Sequence, residues 1–552
     1  MKQLVKQWIA SGAPWVWLNA AAVACCILLV LGLMAMIAVP GLGHFWPARV
    51  HQVNIIEDGE QQVLAGQIRD SESVDAQRLR ESGLPVPESL ESVRRYLLKV
   101  GNRDVTGQDF VWVPELLIRS RALPEEIVVL EREEWGNFYG YLQGMNENGE
   151  PVPEEDLWAS LEHRLERVES LRDQIHHVER DEIGTINYRL NRLRLDERRL
   201  ELDGVTEPSA FDSIRRERDR LGEEYQVLEA LLGALNRDIA RDAVVMRTAS
   251  GDLRQVPLRV VMDAFRPNAM GWTDRVAHFF KKGWQFIVEE PREANTEGGI
   301  FPAIYGTVLM VLLMSVFVTP LGVVAAVYLK EYARQGLLTR TIRVAVNNLA
   351  GVPSIVYGVF GLGFFIYTLG GSIDRLFFPE ALPSPTFGTG GLFWASLTLA
   401  LLTLPVVIVS TEEGLARIPR AIREGSLALG ATRWETLWRT VLPMASPGIM
   451  TGMILAVARA AGEVAPLMLV GVVKLAPSLP LDGNYPFLHP ERKFMHLGFH
   501  IYDVGFQSPN VEAARPLVYA TALLLVVVTV LLNLAAIRVR NRLRERYRGL
   551  ET

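Results

Sequence analysis

Six runs of about twenty apolar residues constrain this 552-residue chain more than any other feature. They lie near 15–39, 303–329, 344–369, 392–411, 448–473 and 517–537. Each can cross a lipid bilayer as a helix, where every backbone N–H and C=O must be bonded within the segment. Residues 41–298 are of another kind, dense in Glu, Arg and Asp. The averages of 49% hydrophobic and 22% charged residues therefore blend a membrane core with a polar region. The expected fold is an α-helical polytopic membrane protein of about six spans with an α+β extracytoplasmic insertion. The formal charge of −6 comes from mixed signs and leaves no basic footprint for nucleic acid. Cys25 and Cys26 are adjacent within an apolar run, so they make neither a disulfide framework nor metal spacing. The first run follows Lys2 and Lys6, is long for a signal peptide and has no clear small-x-small cleavage site after it. It reads as a retained anchor.

Basic residues in short loops set the orientation. Lys2 and Lys6, then Lys330, Arg334, Arg340 and Arg343, then Arg417, Arg420, Arg423, Arg433 and Arg439, and last the tail from Arg538 to Arg548 all fall on one side of a six-span chain. That side is expected to be cytoplasmic. Both termini (1–40 including the first span, and the basic tail 541–552) then start and end inside, and 41–298 faces outward.

Within 41–298, VHQVNII, DFVWVPELLI and EEIVVLE read as strands, with a turn at MNENGEP. From 155 to 240 apolar residues recur at three- and four-residue steps, from Leu161 to Leu190 and from Ile214 to Ile239. The expectation is an antiparallel helical hairpin inserted into one small β domain and removable without harm to the rest. It is either a docking arm or a solvated spacer. His176 and His177 are sequence neighbours, which does not suit a shared metal. Residues 272–288, WTDRVAHFFKKGWQFIV, suit a helix lying against lipid headgroups.

The segment 412–446 between the fourth and fifth runs is too polar to span a membrane and too apolar for a free linker. Gly430 is placed to end a first short helix in a left-handed conformation. Thr432 and Glu435 have capping-box spacing for a second. Ser446-Pro447 reads as the N-cap and first turn of the fifth span. Such a hairpin would expose Leu427, Leu429, Trp434 and Leu437 to a groove in another protein, or lie on the lipid surface.

The spacing Glu424-Gly425-Ser426, Gly430, Leu442-Pro443 resembles the EAA loop of ABC importer permeases, with Gly425-Ser426 in place of the usual Ala-Ala pair. GGIFPAIYGTVLMVLLMS, NNLAGVPSIVYGVFGLGFF, TEEGLARIPRAIREGSLALGATRW and ILAVARAAGEVAPLML are similar to the phosphate permeases of the PstA family. The likeness is close over about 298–540, and 41–298 resembles only the longer members. It implies an ABC importer permease core over 299–540 in a bacterial inner membrane, with 41–298 periplasmic. It also implies a PstC-like second permease, a PstB-like ATPase dimer, a PstS-like phosphate-binding protein and inorganic phosphate as cargo. In that family the loop is the coupling element, which carries the role over to Glu424, Gly425, Ser426, Gly430, Ala431, Leu442 and Pro443. The chain has no G-x-x-x-x-G-K-[ST], so ATP and Mg are expected on the partner ATPase and no cofactor on this chain.

Arg459 and Glu463 stand one helical turn apart, near the middle of the fifth run as read from the sequence. A charge at mid-bilayer costs about 2.5–3.5 kcal/mol on insertion scales, so neither should face lipid. They are either a self-neutralising pair or part of the anion pathway, where a guanidinium suits phosphate oxygens. Ala350, Ser354 and Gly358 read as one close-packing face of the third span, bent at Pro353, with Ser354 a lesser pathway residue. Two rivals remain: a permease for another oxyanion, such as sulfate or molybdate, and a membrane-anchored sensor using 41–298. A sensor needs a cytoplasmic signalling domain, which RVRNRLRERYRGLET does not supply.

Overall fold

The computed structural model describes residues 11–547 except 58–59, 82, 85, 154, 293–296 and 509–510. Of the orienting residues, Lys2, Lys6 and Arg548 lie outside the described residues. Among the described residues, six helices are long and apolar enough to cross a membrane. Spans one to six are Trp15–Gly43, Phe301–Tyr332, Ser354–Phe377, Leu392–Ala416, Arg433–Gly462 and Ala514–Arg542. Spans two, four and five make the centre, where Met310, Met314, Trp394, Leu399, Leu402, Ala456 and Ala460 are buried together. Lipid gives no hydrophobic drive between helices, so small residues and bonded hydroxyls matter most. A Cβ on Gly448 would stand 2.6 Å from Cα of Gly414, so spans four and five touch backbone to backbone. Buried Thr398 and Thr403 donate to the carbonyls of Trp394 at 2.7 Å and Leu399 at 2.8 Å, which satisfies both hydroxyls within the helix. Span one is exposed along its length and packs on span six.

Three boundaries differ from the sequence reading. Span three begins at Ser354, because Pro353 stands at its N-cap; Ala350 caps a separate amphipathic helix, Leu337–Leu349, and shares no helix with Ser354 and Gly358. Span four continues to Ala416, so Glu412 and Glu413 belong to its last turns. Span five starts at Arg433 and ends at Gly462. Ser446-Pro447 therefore lies inside a helix already running, through a wide π turn at Leu437–Val441. Arg459 is in the last turn and Glu463 is the C-cap, with extended backbone, so neither is near mid-span.

The insertion holds two antiparallel sheets where one small β domain was expected. The first has the order β4-β3-β2-β1-β5, with β1 Val50–Glu57, β2 Glu60–Asp75, β3 Ser92–Lys99, β4 Phe110–Pro114 and β5 Ile118–Ala122. The second has the order β10-β9-β7-β6-β11, with β6 Ile127–Arg132, β7 Phe138–Glu147, β9 Asp242–Arg247, β10 Leu253–Pro257 and β11 Val261–Phe265, and β8 Glu150–Val152 on β7. Asn148 and Gly149, both at positive φ, turn β7 into β8 as a tight hairpin requires. Helix α1 (Leu157–His176) starts where Asp156 accepts from the amides of Trp158 and Ala159 at 3.0 and 3.1 Å. It runs through a π turn into α2 (Gly184–Leu202), and α3 (Pro208–Ile239) returns. Leu161, Val168, Leu171 and Ile175 of α1 and Leu235 of α3 share one core with Val128, Leu130, Phe138 and Met246 of the sheet. The hairpin base is thus part of the second sheet's core, which corrects the expectation that 155–240 can be removed freely. His176 and His177 are exposed.

The insertion is also docked on the membrane core. The Tyr188 hydroxyl of α2 donates to the carbonyl of Tyr485 at 2.7 Å, and its ring meets His489 edge-on. Arg199 pairs with the buried carboxylate of Glu380. Helix α4 (Trp272–Val288) turns His278 and Phe286 inward and leaves Trp272, Phe280 and Trp284 exposed. Lys282 on its inner side bridges Glu131 at 2.7 Å and Asp263 at 2.6 Å.

Candidate functional site

Between spans four and five the chain folds into two short helical arms. The first is α5 (Arg420–Ala428) and the second opens span five. Gly430 joins them at φ +89°, and a Cβ there would meet no atom within 4 Å, so backbone conformation alone selects glycine. The capping box forms: the Glu435 amide donates to Thr432 Oγ1 at 3.2 Å, and the Thr432 amide donates to Glu435 Oε2 at 2.9 Å. A hydroxyl contact of 2.9 Å between Ser426 and Thr436 ties the arms together. Leu415, Ile418, Leu437, Val441 and Val327 of span two form the small core beneath.

Arg423 anchors the hairpin to the neighbouring spans. Its guanidinium donates to the carbonyls of Ile418 and Leu415 at 2.7 and 2.8 Å and to Glu331 at 2.9 Å. Leu427, Leu429 and Trp434 are exposed, with Leu429 at 91%. Leu437, expected on that surface, is buried, because it faces Leu415 and Ile418; Trp438 takes its place, stacked on Trp434 at 5.8 Å between centroids. Glu424 and Gly425 are exposed, while Ala431, Leu442 and Pro443 are half-buried. The outcome is a braced hairpin with an apolar, aromatic tip.

At the other end of span five, Arg459 Nε lies 3.5 Å from Glu463 Oε1, and the two side chains keep 32% and 21% of their surface exposed. From Arg433 to Arg459 the helix is continuous and spans roughly 40 Å at 1.5 Å per residue. Ser354 is half-buried at the first turn of span three. One turn on, Gly358 packs so closely that a Cβ would stand 2.7 Å from Cα of Pro466. Span three is thereby held against the segment that follows Glu463. Among the described residues, no group of three or more His, Cys, Asp or Glu side chains converges as a metal site.

Sequence reasoning missed the Arg423–Glu331 brace and the Ser426–Thr436 tie, which join residues with no shared periodicity. The Trp434–Trp438 stack had a signal, four-residue spacing on one helix.

The model of the family described as binding-protein-dependent transport system inner membrane component matches residues 318–549. The phosphate transport system permease protein PstA 1 of Mycobacterium tuberculosis (strain CDC 1551 / Oshkosh) is 37% identical over 247 residues, 44% of this chain and 71% of that relative. The probable phosphate transport system permease protein PstA of Methanocaldococcus jannaschii is 30% identical, over 42% of this chain and 74% of that relative. Among solved structures, the inward-facing MetNI methionine ABC transporter matches at 20% identity and TM-score 0.31, over 44% of this chain and 93% of that one.

Proposed function

The chain belongs to the PstA family of phosphate transport permeases, ABC importer subunits of the inner membrane, and on that premise we propose that it forms an inorganic phosphate pathway with a PstC-like second permease. In this reading a PstB-like ATPase dimer binds ATP and Mg below, and a PstS-like protein delivers phosphate from outside. Both termini are cytoplasmic and 41–298 is periplasmic.

The observation that carries the reading is the single helix joining the braced hairpin to Arg459 and Glu463. The exposed tip of Leu427, Leu429, Trp434 and Trp438 suits an apolar groove on the ATPase. Glu424, Gly425, Ser426, Gly430, Ala431, Leu442 and Pro443 set its shape. Movement of the hairpin on ATP binding would pass along span five to its far end, because a packed helix shifts as a body. There Arg459 offers a permanent positive charge to the anion, and Glu463 keeps that charge from holding it too tightly for release. Ser354 supplies a lesser polar group on span three.

The test is co-purification of this chain with its neighbours, followed by ATPase assay. Stimulation by phosphate and its receptor, with none from sulfate or molybdate, is expected. Stimulation by sulfate or molybdate instead would replace phosphate as the cargo.

A further inference from the structure

A cavity of about 170 Å³ lies where the insertion meets the membrane core, away from span five. Its walls come from the end of span one, both sheets, α4 and the start of span six. Four basic side chains line it: Arg69, Lys99, Lys282 and Arg292. Three carboxylates face them: Glu131, Glu289 and Glu297. Lys99 is matched by Glu297 at 3.0 Å and Lys282 by Glu131 at 2.7 Å. Arg292 comes no nearer than 3.8 Å to Glu289, and its Nε and Nη1 are buried with no hydrogen-bond partner among the described residues. Oε1 of Gln67, a residue 3% exposed, and Nδ1 of His44 are likewise buried and unpartnered.

Buried polar atoms are rarely left so, and an unpaired guanidinium nitrogen is among the costlier ones. We infer that this cavity binds a phosphate group carrying or adjoining a hydroxyl. The phosphate oxygens accept from Arg292, and the hydroxyl donates to Gln67. Inorganic phosphate, with its P–OH, meets that description. So does the headgroup of phosphatidylglycerol, and the cavity stands at headgroup level: span one ends at Gly43, span six begins at Ala514, and the Trp46 ring lies tilted against the exposed Trp272, 5.3 Å between centroids.

The full chain purified in detergent is tested with two probes. Radiolabelled inorganic phosphate is measured by equilibrium dialysis, and retained phosphatidylglycerol by native mass spectrometry. One equivalent of one probe is expected, with binding at least about tenfold weaker in Arg292→Gln and in Gln67→Leu. Binding should be unchanged in Arg220→Gln, an exposed arginine of α3 that does not line the cavity. Which probe is held identifies the source of the phosphate group. Thermal melting of each variant accompanies the assay, and Gln67→Leu, close in volume, serves if Arg292→Gln does not fold. Retention of neither probe overturns the inference. So does binding indifferent to both cavity substitutions, binding weakened equally by Arg220→Gln, or phosphate binding lost only in Arg459→Ala, which would place the bound phosphate in the pathway.

Discussion

Arg459 and Glu463 meet at the C-terminal end of span five through a single 3.5 Å approach between Nε and Oε1, both partly exposed. So loose a pair contributes about 0–1 kcal/mol, too little to explain two charges at the end of a membrane helix by their mutual attraction. Arg459→Ala is expected to abolish uptake, and Arg459→Lys to lower it by at least about tenfold, since the charge remains but the planar donor fork is lost. The double change Arg459→Ala with Glu463→Ala should not recover it. Uptake of radiolabelled phosphate, with ATPase co-purification as the control for assembly, checks this; recovery in the double variant would make the pair structural.

Gly430→Val places a branched side chain at φ +89°, a strain of about 1–3 kcal/mol for a residue that avoids this region. The chain should still insert, but the hairpin tip is misdirected and transport falls. Gly425→Ala, in a helix where a Cβ meets nothing within 4 Å, should transport normally. Uptake by the two variants at equal membrane abundance separates backbone conformation from a mere need for small residues.

These two glycines mark how far the loop is legible in sequence. Gly430 and the Thr432–Glu435 box are local, so spacing alone located them. Leu437 was misplaced because its burial depends on Leu415 and Ile418, on the preceding helix. Pro447 misled because a proline opens a helix in water but is tolerated inside a membrane helix whose neighbours satisfy the freed groups. Arg199 and Glu380 lie 181 positions apart, and no periodicity links them. The six spans were legible because bilayer thickness imposes their length, while their ends moved by several residues with the prolines and polar turns around them.

Asp242 is fully buried at the hairpin base and is clasped by Arg164 at 2.6 Å, Arg167 at 2.8 Å and Arg241 at 3.1 Å. Asp242→Ala removes the shared carboxylate and leaves Arg164 and Arg241 on Glu147 at 3.2 and 3.4 Å and Arg167 on Asp238 at 3.5 Å, and should destabilise the insertion by about 1–3 kcal/mol. Limited proteolysis should then cut near 155 and 240 much faster, with spans two to six still protected. Deleting 155–240 outright should be as damaging, because it uncovers Val128, Leu130 and Phe138.

Burial lowers the pKa of His44 to about 3, helped by Arg69 and Lys99, and burial alone lowers that of His496 to about 3. Each is neutral when folded but takes up a proton below about 6.5 when unfolded. The stability they contribute is complete above pH 6.5 and is lost as pH falls towards 3, by about 1.4 kcal/mol per unit for each group. The melting temperature should therefore drop between pH 7 and pH 5. His44→Phe, which keeps the edge contacts to Phe45 and Phe286, should flatten that drop; an unchanged slope would remove His44 as a cause.

The most direct measurement is ATP-driven uptake into proteoliposomes holding this chain with its permease, ATPase and receptor partners. Radiolabelled phosphate should accumulate only with ATP inside the ATPase compartment, sulfate should not compete, and Gly430→Val should stop accumulation while all subunits remain assembled. Uptake of phosphate undiminished by Gly430→Val, or uptake of sulfate in place of phosphate, would contradict coupling through this loop or phosphate as cargo, respectively.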